Sequence, residues 1–168
     1  MTTKSDFTEA EWTRIVRAPL VAGMAISLAD PGGPIEATKE SMAALKSATN
    51  PPSREQLLAE VALEVQAMAQ QRHNPLSGYK PTAEGSTLGA QVLDELRAVQ
   101  AIVAAKATAD EAAAFGRWLV ASAQGAADAA KEGGFMGFGA EQVSDREQAM
   151  LDQVREAVTG SGSAPPTD

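Results

Sequence analysis

The chain contains one histidine, no cysteine, and 22 carboxylates against 14 basic side chains, and these numbers set which chemistries it could carry. A Ser or Thr nucleophile normally needs a base, usually His, oriented by an acid. The single histidine, His73, lies beside Arg72 where a third helix is expected to end. A cation there complements the helix dipole, which is a structural role rather than a catalytic one. Neither a Gly-x-Ser-x-Gly elbow nor a Ser-x-x-Lys motif in a suitable context occurs. Without cysteine there is no thiolate nucleophile, thiolate metal site or disulfide. A di-iron bundle needs Glu-x-x-His on two helices, and the residue three before His73 is Gln70. An enzyme working with carboxylates alone would need one raised pKa in a cleft. That is the third-ranked reading.

Oxygen ligands alone could hold a hard divalent cation. The candidates flank two Gly-Gly turns: Asp30, Glu36 and Glu40 at the first, and Asp128, Glu132, Glu141 and Asp145 at the second. Acidic residues also gather at helix starts because the dipole favours them there, and the stretch from Glu141 to Glu147 fits that description. The Asp-x-Asp-x-Asp-Gly pattern of a Ca²⁺ loop is absent. Two irregular segments carry apolar side chains. In the Gly-rich link 133–143, Phe135, Met136 and Phe138 either plug the loop onto the core or form an exposed lip for a partner. No Lys follows this link and no strand precedes it, so it is a poor phosphate loop. The segment 73–86 is long for a helix–helix connection. It places Leu76, Tyr79 and Lys80 between prolines, and Tyr suits recognition surfaces.

These residues need helices to position them, and the periodicity predicts six in an all-α compact bundle. Phe7 before the Thr8 cap, with Trp12 four residues into the helix, has the spacing of a hydrophobic staple. The first helix should run from Glu9 to Ala29, with a kink or break at Pro19. The second should run from Pro34 to Ala48 with Ile35, Met42 and Leu45 on one face. A Ser53/Gln56 capping box should open the third, which reaches about Arg72 with Leu58, Val61, Val65 and Met68 inward and Glu60 and Glu64 outward. The fourth, from about Thr87 to Lys106, aligns Leu88, Val92, Leu96, Val99 and Val103. The last, opened by a Ser144/Glu147 box, packs through Met150, Leu151, Val154 and Val158.

The fifth helix, within 108–133, reads as the organiser. Thr108 and Glu111 form a capping box, and Ala121, Gly125 and Ala129 make a ridge of small side chains. One hundred positions earlier, Thr8, Glu11, Arg17 and Gly33 match Thr108, Glu111, Arg117 and Gly133, with Val21, Ala25 and Ala29 as the corresponding ridge. Two pseudo-repeated units around two central small-residue-rich helices are therefore expected. Residues 1–6 should fray, residues 7–159 should form one domain, and the tail 160–168 has the composition of a disordered end.

At 168 residues the chain suits a single core. Hydrophobic residues make up 44% but aromatics only 4%, which favours helices packed by close backbone approach. A net charge of −8 with dispersed Lys and Arg argues against nucleic acid. The longest apolar run, 18–29, is too short for a membrane span of roughly 20 residues, and the polar N-terminus has no signal-peptide core. A cytoplasmic location follows as the expectation.

The stretches FTEAEWTRIVRAPLVAGMAISLADPGGP and AADAAKEGGFMGFGAEQVSDREQAMLDQV resemble a group of small bacterial all-helical proteins of unassigned function. Their helix–Gly turn–capped helix units are also similar to TerB-type tellurite-resistance domains. That resemblance covers about a third of the chain, and it implies an all-helical fold with acidic residues near the turns binding metal in a stress-related role. The chain departs from the pattern in having Asp30-Pro31-Gly32 where Asp-Gly is usual, and Lys131-Glu132-Gly133 at the second turn. The leading expectation is a non-catalytic intracellular interaction or scaffold protein, meeting a protein partner or a second copy through Phe135–Phe138 or Leu76–Tyr79. The alternative is a divalent-cation-binding protein. No other cofactor is expected.

Overall fold

A computed structural model of the chain describes residues 1–31, 34–81, 87–131 and 143–159, with backbone only at 34–37 and 131. Among the described residues there are six α-helices and no strand: α1 (Glu9–Ala29), α2 (Pro34–Ala48), α3 (Gln56–Gln70), α4 (Leu88–Lys106), α5 (Ala109–Lys131) and α6 (Asp145–Thr159). None is long and apolar enough to cross a membrane.

Capping explains where most of the helices start. Thr8 Oγ1 accepts from Glu11 N at 3.2 Å while Glu11 Oε2 accepts from Thr8 N at 2.8 Å. Thr108 with Glu111, and Ser144 with Glu147, repeat the reciprocal pattern. Each box covers two backbone donors that the first helical turn leaves open. Thr87 caps α4 by accepting from Ala90 N. The Ser53/Gln56 box does not form. The chain turns into α3 only at Glu55, which caps without a side-chain bond, and Ser53 Oγ is buried without a partner. α1 runs unbroken through a buried Pro19, so the expected alternative of two short helices does not form.

α5 lies at the centre, packed chiefly against α2 and α1 and also against α6 and α4. α1 makes its own contacts with α2 and α4. Trp118 and Phe115 of α5 are fully buried, edge to face with centroids 6.2 Å apart. Trp118 Nε1 donates to the Ser47 carbonyl at 2.9 Å, so the one polar atom of this core indole is satisfied at the end of α2. Phe7 and Trp12 form the staple, with centroids 6.0 Å apart.

The small residues mediate close approach, but in a different register from the predicted ridges. Ala121 is exposed, and a Cβ on Gly125 would meet nothing within 4 Å. The buried side of α5 is Ser122, Ala123, Ala126 and Ala127. The tight crossing is at Gly23 of α1, where an added Cβ would lie 2.8 Å from Ala44 Cβ and 3.8 Å from Ala126 Cβ. That closeness also shifts the buried face of α2. The small Ala44 and Ala48 fit the narrow gap and are buried, as is Glu40, while Leu45 packs partly against the core and Met42 stays 69% exposed. Leu88 likewise lies at the exposed start of α4, whereas Val92, Leu96, Val99 and Val103 fill the core.

The N-terminus is held where fraying was expected. Residues Lys4–Asp6 form a 3-10 turn. Thr2 is 4% exposed and donates to Glu111 through N at 2.9 Å and Oγ1 at 2.6 Å. Lys4 N and Nζ reach Glu60 and Glu64 of α3. The pairs α1–α2 and α5–α6 share a layout in which a long capped helix packs against a 15-residue partner. The expected tail, 160–168, lies outside the described residues.

Candidate functional site

A cleft of about 560 Å³ opens between the second half of α1, the middle of α2 and the chain leaving α3. Its apolar walls come from Leu20 and Met24 on one side, Ala44 and Leu45 on another, and Pro75 and Leu76 on the third. Glu40, which is 3% exposed, contributes to its lining, and Ser27 Oγ donates to Glu40 Oε2. Exposed Arg72, His73 and Asn74 line the rim. A larger groove of about 720 Å³ separates α4, α5 and α6. Its charged residues Arg97, Arg117 and Glu156 are all exposed, so water already solvates them. The cleft at Glu40 combines apolar walls with a carboxyl group that is nearly removed from solvent.

The third wall is built by the end of α3. His73 N donates to the Met68 carbonyl at 2.8 Å and Arg72 N to Ala69 at 3.0 Å, the paired bonds of a Schellman turn. Arg72 occupies its left-handed position with φ 57°, where glycine is usual. Asn74 Oδ1 then accepts from Leu76 N at 2.9 Å, and Tyr79 N donates to the Leu76 carbonyl at 3.0 Å. These local turns carry Leu76 over the cleft. Beyond them, the Arg17 guanidinium lies 4.8 Å from the Tyr79 ring centroid. Arg17 also donates to Glu95, which takes a two-pronged bond from Arg14 at 3.0 and 2.7 Å. Burial pushes the Glu95 carboxyl up, but the two arginines more than offset it and hold it below its ordinary value. Burial and the neighbouring Glu95 raise Tyr79. The whole group fastens the loop to α1 and α4.

No family model, no curated protein and no solved structure matches the chain. The geometry therefore has to carry the functional argument alone.

The structure separates the two interaction residues that the sequence placed together. Leu76 lines the cleft, while Tyr79 is half-buried against Arg17 and away from it. Phe135, Met136 and Phe138 lie outside the described residues. Of the metal candidates, Asp30 sits 4.0 Å from Arg146 Nη1, Asp128 accepts from Gln124 at 3.0 Å, and Asp145 is exposed at the start of α6. Glu132, Glu141 and the Glu36 side chain lie outside the described residues. Among those described, no three of His, Asp and Glu converge. The residues that sequence reasoning missed as a group are Ser27, Met24 and Leu45. Glu40 was read only as a turn carboxylate, although its four-residue spacing from Ala44 puts it on the buried stripe of α2.

The cleft can accept an apolar body between Leu20, Met24, Leu45 and Leu76. His73 makes no side-chain hydrogen bond among the described residues, so no serine in the cleft is coupled to it.

Proposed function

We propose that the chain is a non-catalytic interaction module of the cytoplasm, and that its partner-facing surface is the mouth of this cleft with the adjoining face of α2. One observation supports the reading: the apolar surface is continuous. Met42, 69% exposed, shares a shallow depression with Ser41 and Leu45. Those two residues also line the cleft, which continues to Met24 and Leu76. Large exposed apolar side chains joined to a concave surface are what partner sites offer. The partner is a protein, including a second copy of this chain, rather than nucleic acid. Phe135, Met136 and Phe138 belong to the same reading as a second apolar lip.

The test contrasts two exposed apolar positions. Met42→Glu places a charge on the rim, and Leu63→Glu places one on α3 at a side chain that is 63% exposed. Partners captured from the native cell should be lost with Met42→Glu and kept with Leu63→Glu. Equal capture by both variants would overturn the reading.

A second reading is a divalent-cation-binding stress protein similar to TerB domains. The end of α1 and the start of α6 are neighbours, with Asp30 4.0 Å from Arg146 Nη1, so candidate carboxylates Asp30 and Asp145 lie at adjoining helix ends. Calorimetry with Ca²⁺, Mg²⁺, Mn²⁺ and Zn²⁺ tests it directly, and absence of saturable binding rejects it.

A further inference from the structure

We infer that the mouth of the cleft docks an acidic amphipathic segment of a partner protein. The segment's apolar anchor sits between Leu20, Met24, Leu45 and Leu76, and its carboxylates meet Lys46, Arg72 and His73. This inference rests on the cleft face being an interaction surface, and it names the chemistry of the partner.

Charge is segregated around this face. The chain holds 22 carboxylates, yet residues 41–54 and 65–83 contain none, while Lys46, Arg54, Arg72, His73 and Lys80 fall within them. The first stretch is the second half of α2 and the turn after it. The second is the end of α3 and the chain that closes the cleft. Among the described residues that line the cleft, Glu40 is the one carboxylate. It is 3% exposed on the α1–α2 side and accepts from Ser27. Like charges repel, so a docked acidic segment turns its apolar side inward and its carboxylates out to the rim.

The rim is ready for them. Lys46, Arg72 and His73 are exposed and form no ion pair among the described residues. The helix dipole explains cations near the ends of α2 and α3, but it leaves those charges in water. Arg72 carries a further sign. Its φ of 57° costs a residue with a Cβ conformational energy that glycine would avoid. Strain of this kind gathers at binding sites, and here it holds a guanidinium at the edge of the cleft. The planar fork of a guanidinium matches a carboxylate. Met42, 69% exposed, lies one turn before Lys46 and extends the apolar surface between the cations. At about 560 Å³ the cleft has room for a large anchoring side chain. An apolar groove bordered by one sign of charge selects an amphipathic partner of the other sign.

The probe is a fluorescein-labelled peptide, Glu-Asp-Leu-Phe-Glu-Asp-Leu-Leu-Glu-Glu, titrated with the full chain. One companion replaces every acidic residue by lysine, and another replaces Leu and Phe by serine. The acidic peptide should bind at least about tenfold more tightly than either companion and should weaken as salt is raised. In ¹³C-methionine-labelled protein it should shift the methyls of Met24 and Met42, which line the cleft and its rim, and leave that of core Met150 in place. Arg72→Gly relieves the strained φ, so weaker binding in a variant that melts no lower separates charge from folding. Combined with Lys46→Gln, it should bring the advantage over the lysine peptide to within about threefold. Equal binding of the acidic and lysine peptides, or no binding of either, would overturn the inference. So would unshifted Met24 and Met42 methyls, or an advantage that survives in the double variant. Binding to phosphatidylglycerol vesicles in place of the acidic peptide would assign the cations to a membrane surface and overturn it as well. If the peptide fails while Met42→Glu still abolishes partner capture, the interaction surface stands and the acidic partner falls. If the peptide binds while capture is unchanged by Met42→Glu, the acidic site stands and the cellular role of the surface falls.

Discussion

Glu111 joins parts of the chain 109 residues apart. It completes the cap of α5 with Thr108 and accepts from both N and Oγ1 of Thr2. Burial pushes its carboxyl up, but these hydrogen bonds outweigh that and bring it down from 4.5 to about 2. A lowered folded-state value means the native state binds fewer protons than the unfolded chain between those two values. Its stabilisation is therefore complete above its ordinary value of 4.5 and disappears as the pH falls towards about 2. Glu111→Gln should lose about 2 kcal/mol in urea unfolding at neutral pH, with the difference from wild type vanishing near the acid end of that window. Arg72 offers the opposite case. Its φ of 57° is strained for a residue with a Cβ. Arg72→Gly should raise stability by about 0.5–1 kcal/mol in the same assay. The cap of Glu111 on Thr108 was readable because it spans three residues. Its bond to Thr2 was not, because nothing local in the sequence marks a contact that only tertiary packing creates.

The helices themselves were legible at the scale of elements, because repeats of apolar residues and Ser/Thr-x-x-Glu starts are local signals. α1 and α2 run over the residues the pattern indicated. Their faces were less legible. On α2 the larger side chains suggested Met42 as core, yet the close crossing at Gly23 admits only small residues, so Ala44 and Ala48 are inside. The same reasoning separates two glycines of α5. A Cβ on Gly116 would lie 2.8 Å from the Val158 carbonyl of α6, a backbone atom that cannot easily move, whereas one on Gly125 would meet nothing. Gly116→Ala should cost about 1–3 kcal/mol by forcing α6 away. Gly125→Ala should instead stabilise by up to about 1 kcal/mol through helix propensity. Thermal melts of the two variants check both signs.

At the scale of the molecule, three segments distant in sequence converge on one cleft, and this is why sequence reading recovered only its edges. Leu76 was singled out because its loop is irregular, and Glu40 because it follows a Gly-Gly turn, but neither signal says that the two share a cavity. Tyr79 was chosen for its residue type alone, and the structure gives it to Arg17 and the Glu95 network. Exposed Met42 of α2, joined through Leu45 to the apolar cleft, is the basis for reading the protein as an interaction module. The most direct measurement is photo-crosslinking in the native cell, with a photoreactive residue replacing Met42 in one sample and Leu63 in another. The account predicts a discrete adduct from position 42 and only background from position 63. Background from both, or the same adducts from both, would contradict it.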